Sequence, residues 1–419
     1  FMEKIGILVG GGPAPGINSV IAAAAIEAIN SGFQPIGIKN GYEFLVKKDI
    51  NHTVNLEIES VAKIYKLGGS ILNTSRTNPA KSSSDLSNII STLHKLNINK
   101  LITIGGDDTA FGASEIAKYS KNSIKIAHIP KTIDNDLPLP GNMPTFGYET
   151  ARHVGCEIVS NIKEDSRSTN RWYFIVAMGR HTGHLALGIG KSSAATITII
   201  PEEFEDNQIT ISHVCDIIEG SIIKRQMLGR PDGTVIIAEG IAEKLNMDQL
   251  EKDQQIKVPR DEYGNVKLAD LPLSRIIRNE VEKRFKKIDK PMDIVDLTLG
   301  YELRSAPPIP FDIDYTRTLG HGAVKFLISS SKNNQSGLIC LENGQVRCLS
   351  FEEIRDNNTN KTSVRKVDIN SLYYDVARRY MTRIENDDLK NKKKLKEISK
   401  ISKLSLNEIK QKFTKNNEK

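Results

Sequence analysis

Three short stretches of this 419-residue chain gather groups that could handle phosphate and a proton. Gly10-Gly11-Gly12-Pro13-Ala14-Pro15-Gly16 follows an apolar run and opens into an alanine-rich helical pattern. Bare backbone N–H groups and a helix N-terminus then face one spot, where an anion would be held. A purely structural tight turn would use the same glycines. The spacing matches neither G-x-G-x-x-G nor G-x-x-x-x-G-K-[ST], which argues against an ordinary dinucleotide or P-loop site. Gly105-Gly106-Asp107-Asp108-Thr109 places two adjacent carboxylates after another apolar run. Such a pair is costly without a cation opposite it. Mg2+, which takes carboxylate and phosphate oxygens, is the natural partner; N-capping of the next helix by Asp107 or Asp108 is the competing role. Finally, Pro130-Lys131-Thr132-Ile133-Asp134-Asn135-Asp136 crowds a lysine, a hydroxyl and two carboxylates together. Phosphoryl transfer to a hydroxyl needs a base, a cation and donors that spread charge. All three are present here.

The elements around these stretches are β-rich apolar runs alternating with helical patterns, which predicts parallel sheets with crossover helices and an α/β class. Strands are expected at 4–10, 34–39, 100–106, 124–130, 171–179, 196–201, 233–240 and 294–302. In open parallel sheets ligands bind beyond the carboxyl ends of the strands, which is where the three stretches fall. One helix is predicted after Gly16, stopped by Gly32, and a longer one over 147–162. Residues 245–270 read as a charged, irregular surface insertion and 356–365 as a polar loop, neither offering chemistry.

The length and a hydrophobic fraction of 39% imply two or more globular domains. No run approaches a membrane span, and the start leads at once into a strand-like segment, so a soluble cytoplasmic protein is expected. Phe1, ahead of Met2, is left out of the fold argument. Cys156, Cys215, Cys340 and Cys348 form no C-x-x-C pair and have no zinc-spaced histidine, pointing to a reducing compartment without structural metal. The net charge of +7 is concentrated in the tail: from Lys390 onward eleven lysines face Glu397, Glu408 and Glu418, leaving the rest near −1. Nucleic-acid and membrane binding by the body are not expected. Leu395, Ile398, Ile401 and Leu404 recur at helical spacing and Ser405 to Glu408 can form a capping box, so the tail reads as short helices or, on composition alone, as a solvated appendage.

In this order, the glycine turn, Gly105 to Thr109 and Pro130 to Asp136, followed by Met178-Gly179-Arg180, resemble the phosphofructokinase family. The resemblance continues through Arg76, Arg171, Glu239 and Leu299 to Arg304, over roughly residues 4–327. It implies two Rossmann-like three-layer domains, 1–146 plus 304–365 for the donor and 147–303 for the sugar, with a helical extension at 366–419. It further implies transfer of a phosphoryl group to the 1-hydroxyl of fructose 6-phosphate, a step of glycolysis and gluconeogenesis. Asp134 would be the general base, with Lys131 and Asp136 beside it. Gly11, Gly12, Arg76, Asp107, Asp108 and Thr109 would hold the donor, Asp107 also Mg2+. Thr132, Arg171, Met178, Gly179, Arg180, Glu239, Tyr301 and Arg304 would hold the sugar phosphate. Guanidinium forks suit phosphate oxygens. Arg171 usually reaches in from a neighbouring subunit, which implies a homodimer or homotetramer. His181 and His184, three apart and without a third ligand, read as helix-start residues and not as a metal pair.

ATP-using members usually carry glycine where this chain has Asp108. A carboxylate there adds bulk and repels a third phosphate, enough to disfavour ATP by roughly a hundredfold in a partly dry site. Pyrophosphate is the expected donor and Lys131 supports it; without the free-energy drop of ATP hydrolysis the reaction should be reversible. Ser305-Ala306 and Val295 depart from the family's usual pattern at the sugar phosphate, while Ala22 and Ile26 replace arginines that serve an allosteric nucleotide in bacterial ATP enzymes. Regulation by that route is not expected. The competing readings are an ATP-dependent phosphofructokinase, a non-catalytic subunit on the same fold, which would be expected to lack Asp134, and a lipid or NAD kinase.

Overall fold

The computed structural model describes residues 2–205, 208–254, 257–260, 270–329, 335–355 and 363–414. Among them are eleven strands: β1 (Lys4–Val9), β2 (Gln34–Ile38), β3 (Thr53–Asn55), β4 (Ile98–Gly105), β5 (Lys125–Pro130), β6 (Trp172–Ala177), β7 (Ile197–Ile199), β8 (Gly233–Ala238), β9 (Ile294–Leu299), β10 (Gly337–Glu342) and β11 (Gln345–Leu349). The chain divides into two compact units, Phe1–Ala151 with Tyr301–Arg365, and Arg152–Gly300 with Lys366–Lys419.

The first unit carries a seven-stranded sheet in the order β11-β10-β5-β4-β1-β2-β3. Its five central strands run parallel, and their near-continuous Ile, Leu and Val content suits strands covered on both faces. The edges differ from the all-parallel expectation: β3 and β11 pair antiparallel. The hairpin β10–β11 turns on Asn343-Gly344, both at positive φ (51° and 76°), as a type I′ turn demands. The order reverses between β1 and β4, so the loops after these strands flank a switch point. Register then lines up three loops, because Val9 pairs with Ile104, Ile104 with Ile129, and Gly105 with Pro130.

The second unit has a four-stranded, all-parallel sheet in the order β7-β8-β6-β9. Its core includes Trp172, Phe174, Ile218, Ile222, Val235 and Phe285. The lysine-rich tail belongs to this core and is not a solvated appendage. Leu395 and Ile398 on the helix Lys392–Ser402, with Ile409 and Phe413 on Leu406–Thr414, are buried in it. Each such side chain contributes about 1.5–3 kcal/mol by leaving water, which outweighs the preference of the neighbouring lysines for solvent. Ser405 and Glu408 form the predicted box, Ser405 N–H donating to Glu408 Oε2 at 2.8 Å and Glu408 N–H to Ser405 Oγ at 3.3 Å.

Two further expectations change. The long helix runs over Tyr148–Thr169, two turns past 162, and stops where Asn170 takes φ 56°. Within 245–270, Met247–Gln254 is helical and Leu250 and Val258 join the core. Their apolar side chains outweigh the charged composition that suggested a solvated insertion. The rest of that insertion, 255–256 and 261–269, lies outside the described residues, as do Phe1, residues 356–362 of the polar loop, and 415–419 of the tail.

Candidate active site

In the first unit the glycine turn leaves β1 at the switch point. Gly10 N–H donates to Ile104 O and Gly11 N–H to Ser75 O, both at 2.9 Å, while Thr74 Oγ1 donates to Gly11 O. Gly11 has φ 79° and Gly16 φ 105°, conformations that favour glycine. Gly16 then starts the helix Ile17–Asn30 without a side-chain cap. A Cβ on Gly10 would stand 2.3 Å from Thr109 Oγ1, so this glycine is needed for the two loops to touch.

Two cations meet the turn. Lys131, 6% exposed, donates Nζ to Gly12 O, and its own N–H bonds Gly105 O at 2.9 Å. Arg304 lies against Gly12, its Nη2 1.7 Å from where a Cβ would be, with its guanidinium over the Tyr301 ring at 5.4 Å. Arg304, expected on the sugar side, meets the glycine turn within this unit, with Tyr301, also expected there, beside its guanidinium. Arg76 follows Ser75, the residue bridged to Gly10, and is exposed.

The helix Asp107–Tyr119 is N-capped by Gly106 without a side-chain cap bond, so neither aspartate caps it. Both lie in its first turn, where carboxylates are favoured by the helix dipole. Asp107 is half-buried with Oδ1 shut away from solvent, whereas Asp108 is exposed. Among the described residues no group of three or more His, Cys, Asp or Glu could hold a metal. One carboxylate beside a phosphate cradle nevertheless fits Mg2+, which keeps water and takes most remaining ligands from substrate phosphates.

The base loop is more deeply set. Asp134 is 8% exposed and Asp136 7%. Asp134 N–H donates to Thr132 Oγ1 at 3.0 Å, and Thr145 Oγ1 donates to Thr132 O at 2.9 Å. Between the aspartates Asn135 takes φ 56°, and its Oδ1 accepts Thr145 N–H at 3.1 Å. Beneath, on β5, buried His128 shares a 2.9 Å hydrogen bond with Thr103, and desolvation pulls its pKa down to about 3. Arg365 also reaches this loop from a stretch read as offering no chemistry. No local sequence signal could have found it, because its partners lie about 230 residues upstream.

In the second unit the register of β6 with β8 and β9 aligns the Met178 to Arg180 loop with Glu239 and Gly300. Glu239 Oε2 accepts Gly179 N–H and Arg180 N–H, each at 3.2 Å, and Glu239 N–H donates to Ala177 O at 2.9 Å. Met178 N–H donates to Leu299 O at 2.9 Å. Arg180, exposed with φ 40°, points away from any core. Half-buried Glu202 accepts Gly183 N–H at 3.0 Å, and desolvation pushes its pKa up. His184 is the first residue of the helix His184–Ser193, while His181 pairs with Glu243 at 2.5 Å. Arg171 does not join Arg180. It precedes β6 and pairs with Asp293 at 2.8 Å, at the opposite end of a strand that spans roughly 20 Å.

A glycine turn met by two cations, beside a loop of buried carboxylates, is an arrangement that suits phosphoryl transfer. The phosphofructokinase family model matches residues 4–327, and the chain belongs to that family. It is 52% identical over 411 residues to a pyrophosphate–fructose 6-phosphate 1-phosphotransferase of Thermotoga maritima, covering 98% of both chains. It is 43% identical to a protein of the same name from Naegleria fowleri, over 98% of this chain and 95% of that one. A pyrophosphate-dependent phosphofructokinase structure from Marinobacter aquaeolei superposes with a TM-score of 0.67 at 14% identity, over 91% of this chain and 92% of that one; this likeness concerns the fold.

Proposed function

We propose that the chain transfers a phosphoryl group reversibly from pyrophosphate to the 1-hydroxyl of fructose 6-phosphate. The observation that carries this is the convergence of Lys131 and Arg304 on the Gly11-Gly12 turn, in a chain so similar along its whole length to a pyrophosphate-using relative. The turn at Gly11 and Gly12, fixed by the bonds of the Gly10 and Gly11 N–H groups to Ile104 O and Ser75 O, holds pyrophosphate together with Arg76 and Thr109. Lys131 spreads charge on the transferred group. Asp134 removes the proton of the sugar hydroxyl, and Asp136 supports it. Mg2+, held by Asp107 and phosphate oxygens, neutralises charge on the donor when bound. In the second unit Arg180 grips the 6-phosphate with its guanidinium fork, Met178 and Gly179 line the sugar, and Glu239 takes sugar hydroxyls through the oxygen not engaged by Gly179 and Arg180. Thr132 completes the sugar side on the family's pattern, while Arg304, with Tyr301 beside its guanidinium, faces the donor at the glycine turn.

Arg171, at the far end of β6 from Arg180, serves a site of another protomer, so the working enzyme is a homodimer or homotetramer. None of the described helices is long and apolar enough to cross a membrane, and we place the enzyme in the cytoplasm. Asp108 sets the donor: its carboxylate occupies space and adds like charge where a third phosphate would lie. A coupled assay with fructose 6-phosphate and pyrophosphate, ATP or no donor tests this. Pyrophosphate supports turnover, and in Asp108→Gly the use of ATP rises roughly a hundredfold. ATP serving the unaltered enzyme at least as well as pyrophosphate would overturn the donor assignment.

A further inference from the structure

Arg365 lies beyond the residues 4–327 matched by the family, yet it makes four hydrogen bonds to the segment that carries Asp134 and Asp136. Its N–H donates to Asp136 O at 2.7 Å. Nε donates to Asn135 O at 3.1 Å, Nη1 to Met143 O at 3.1 Å, and Nη2 to Asn135 Oδ1. The fork thus closes on Asn135, the residue that separates the two carboxylates and holds a left-handed conformation.

We propose that Arg365 is a positioning residue for phosphoryl transfer, bracing the Asp134 to Asp136 turn so that the Asp134 carboxylate is held at the angle its proton transfer needs. Three features favour this over a general packing role. The side-chain contacts go to a carbonyl oxygen inside the turn, to one beyond it at Met143 and to one amide oxygen, which a planar guanidinium can span and a single ammonium cannot. Asn135 Oδ1 is shared with Thr145 N–H, and Thr145 in turn holds Thr132 O, so Arg365 is joined through Asn135 to the bonds that flank Asp134. The guanidinium also stands in the field of the Asp136 carboxylate, which partly offsets the cost of its burial. A base displaced by about 1 Å loses on the order of a hundredfold in rate.

The inference rests on the reaction proposed above, and the experiment separates the two. The unaltered enzyme, Arg365→Ala and Arg365→Lys are assayed with fructose 6-phosphate and pyrophosphate, alongside thermal unfolding. Arg365→Ala is expected to lower kcat by about thirtyfold while KM for either substrate moves less than threefold. Arg365→Lys should recover only part of the loss, and added guanidinium should restore activity to the alanine variant. Unchanged kcat in a folded Arg365→Ala, or full activity in Arg365→Lys, would overturn the inference while leaving the reaction standing. An alanine variant that fails to fold shifts the decision to Arg365→Lys alone. An inactive unaltered enzyme would instead sink the proposed reaction.

Discussion

The Lys131 to Asp136 loop of the first unit and the Arg171 and Arg180 positions of the second handle charge in opposite ways. In the first, Lys131, Asp134 and Asp136 are all at most 8% exposed, and the Lys131 ammonium is tied to Gly12 O. In the second, Arg180 is exposed and the Arg171 side chain is 47% exposed, with only an ion pair to a solvent-facing aspartate. Buried, tethered charges interact strongly and have already lost their rotamer freedom, so they can act on the transition state without reorganising. Exposed arginines are screened by water and must be ordered by the ligand. On the proposed reaction, the first unit would then serve rate and the second capture.

That division can be broken most directly at Asp134. Replacing it with Asn should lower kcat by about a thousandfold with little change in KM, as expected for a lost base. Initial rates at varied substrate measure both constants, and a matching rise in KM would blur the contrast between the units. Arg180→Ala should do the reverse, raising KM for fructose 6-phosphate by about thirtyfold while kcat stays within a few fold. A collapse of kcat there would mean that the second unit shapes the transition state as well.

A smaller effect probes how dry the floor of the first site is. His128, with its pKa lowered from 6.5 to about 3, stays neutral in the folded chain where the unfolded chain protonates it. Its contribution is complete above the unfolded value and is lost as pH falls towards 3, amounting to about 2 kcal/mol between pH 7 and pH 5. His128→Gln can still bond Thr103 but does not titrate. Urea unfolding at the two pH values should show the unaltered protein losing about that much more stability than the variant; equal losses would mean that water reaches the floor of the site.

All eight strands expected from apolar runs are present, seven of them buried over most of their length and β9 only at its ends. Of the three others, β3 has three residues, β11 is half-polar, and β10, with Gly337 to Cys340 buried, is an apolar run like the eight. β11 exposes Gln345, Val346 and Arg347, though the Asn343-Gly344 pair was a readable hairpin signal. The position of the three candidate loops was legible for a related reason: glycine and aspartate clusters mark the ends of β1, β4 and β5, where a parallel sheet puts its ligand-binding loops.

By itself the sequence determined the α/β class and the order of the three glycine- and aspartate-rich loops along the chain, since these follow from local periodicity and residue type. The tertiary structure alone decided what depends on distance across the chain. Strand register brought Lys131 to Gly12, helix packing brought Arg304 to the same turn, and Arg365 was carried back to Asn135. The length of β6 kept Arg171 from Arg180, and the apolar stripe of the lysine-rich tail took it into the core. Contacts between residues hundreds of positions apart are set by packing, which no local pattern records.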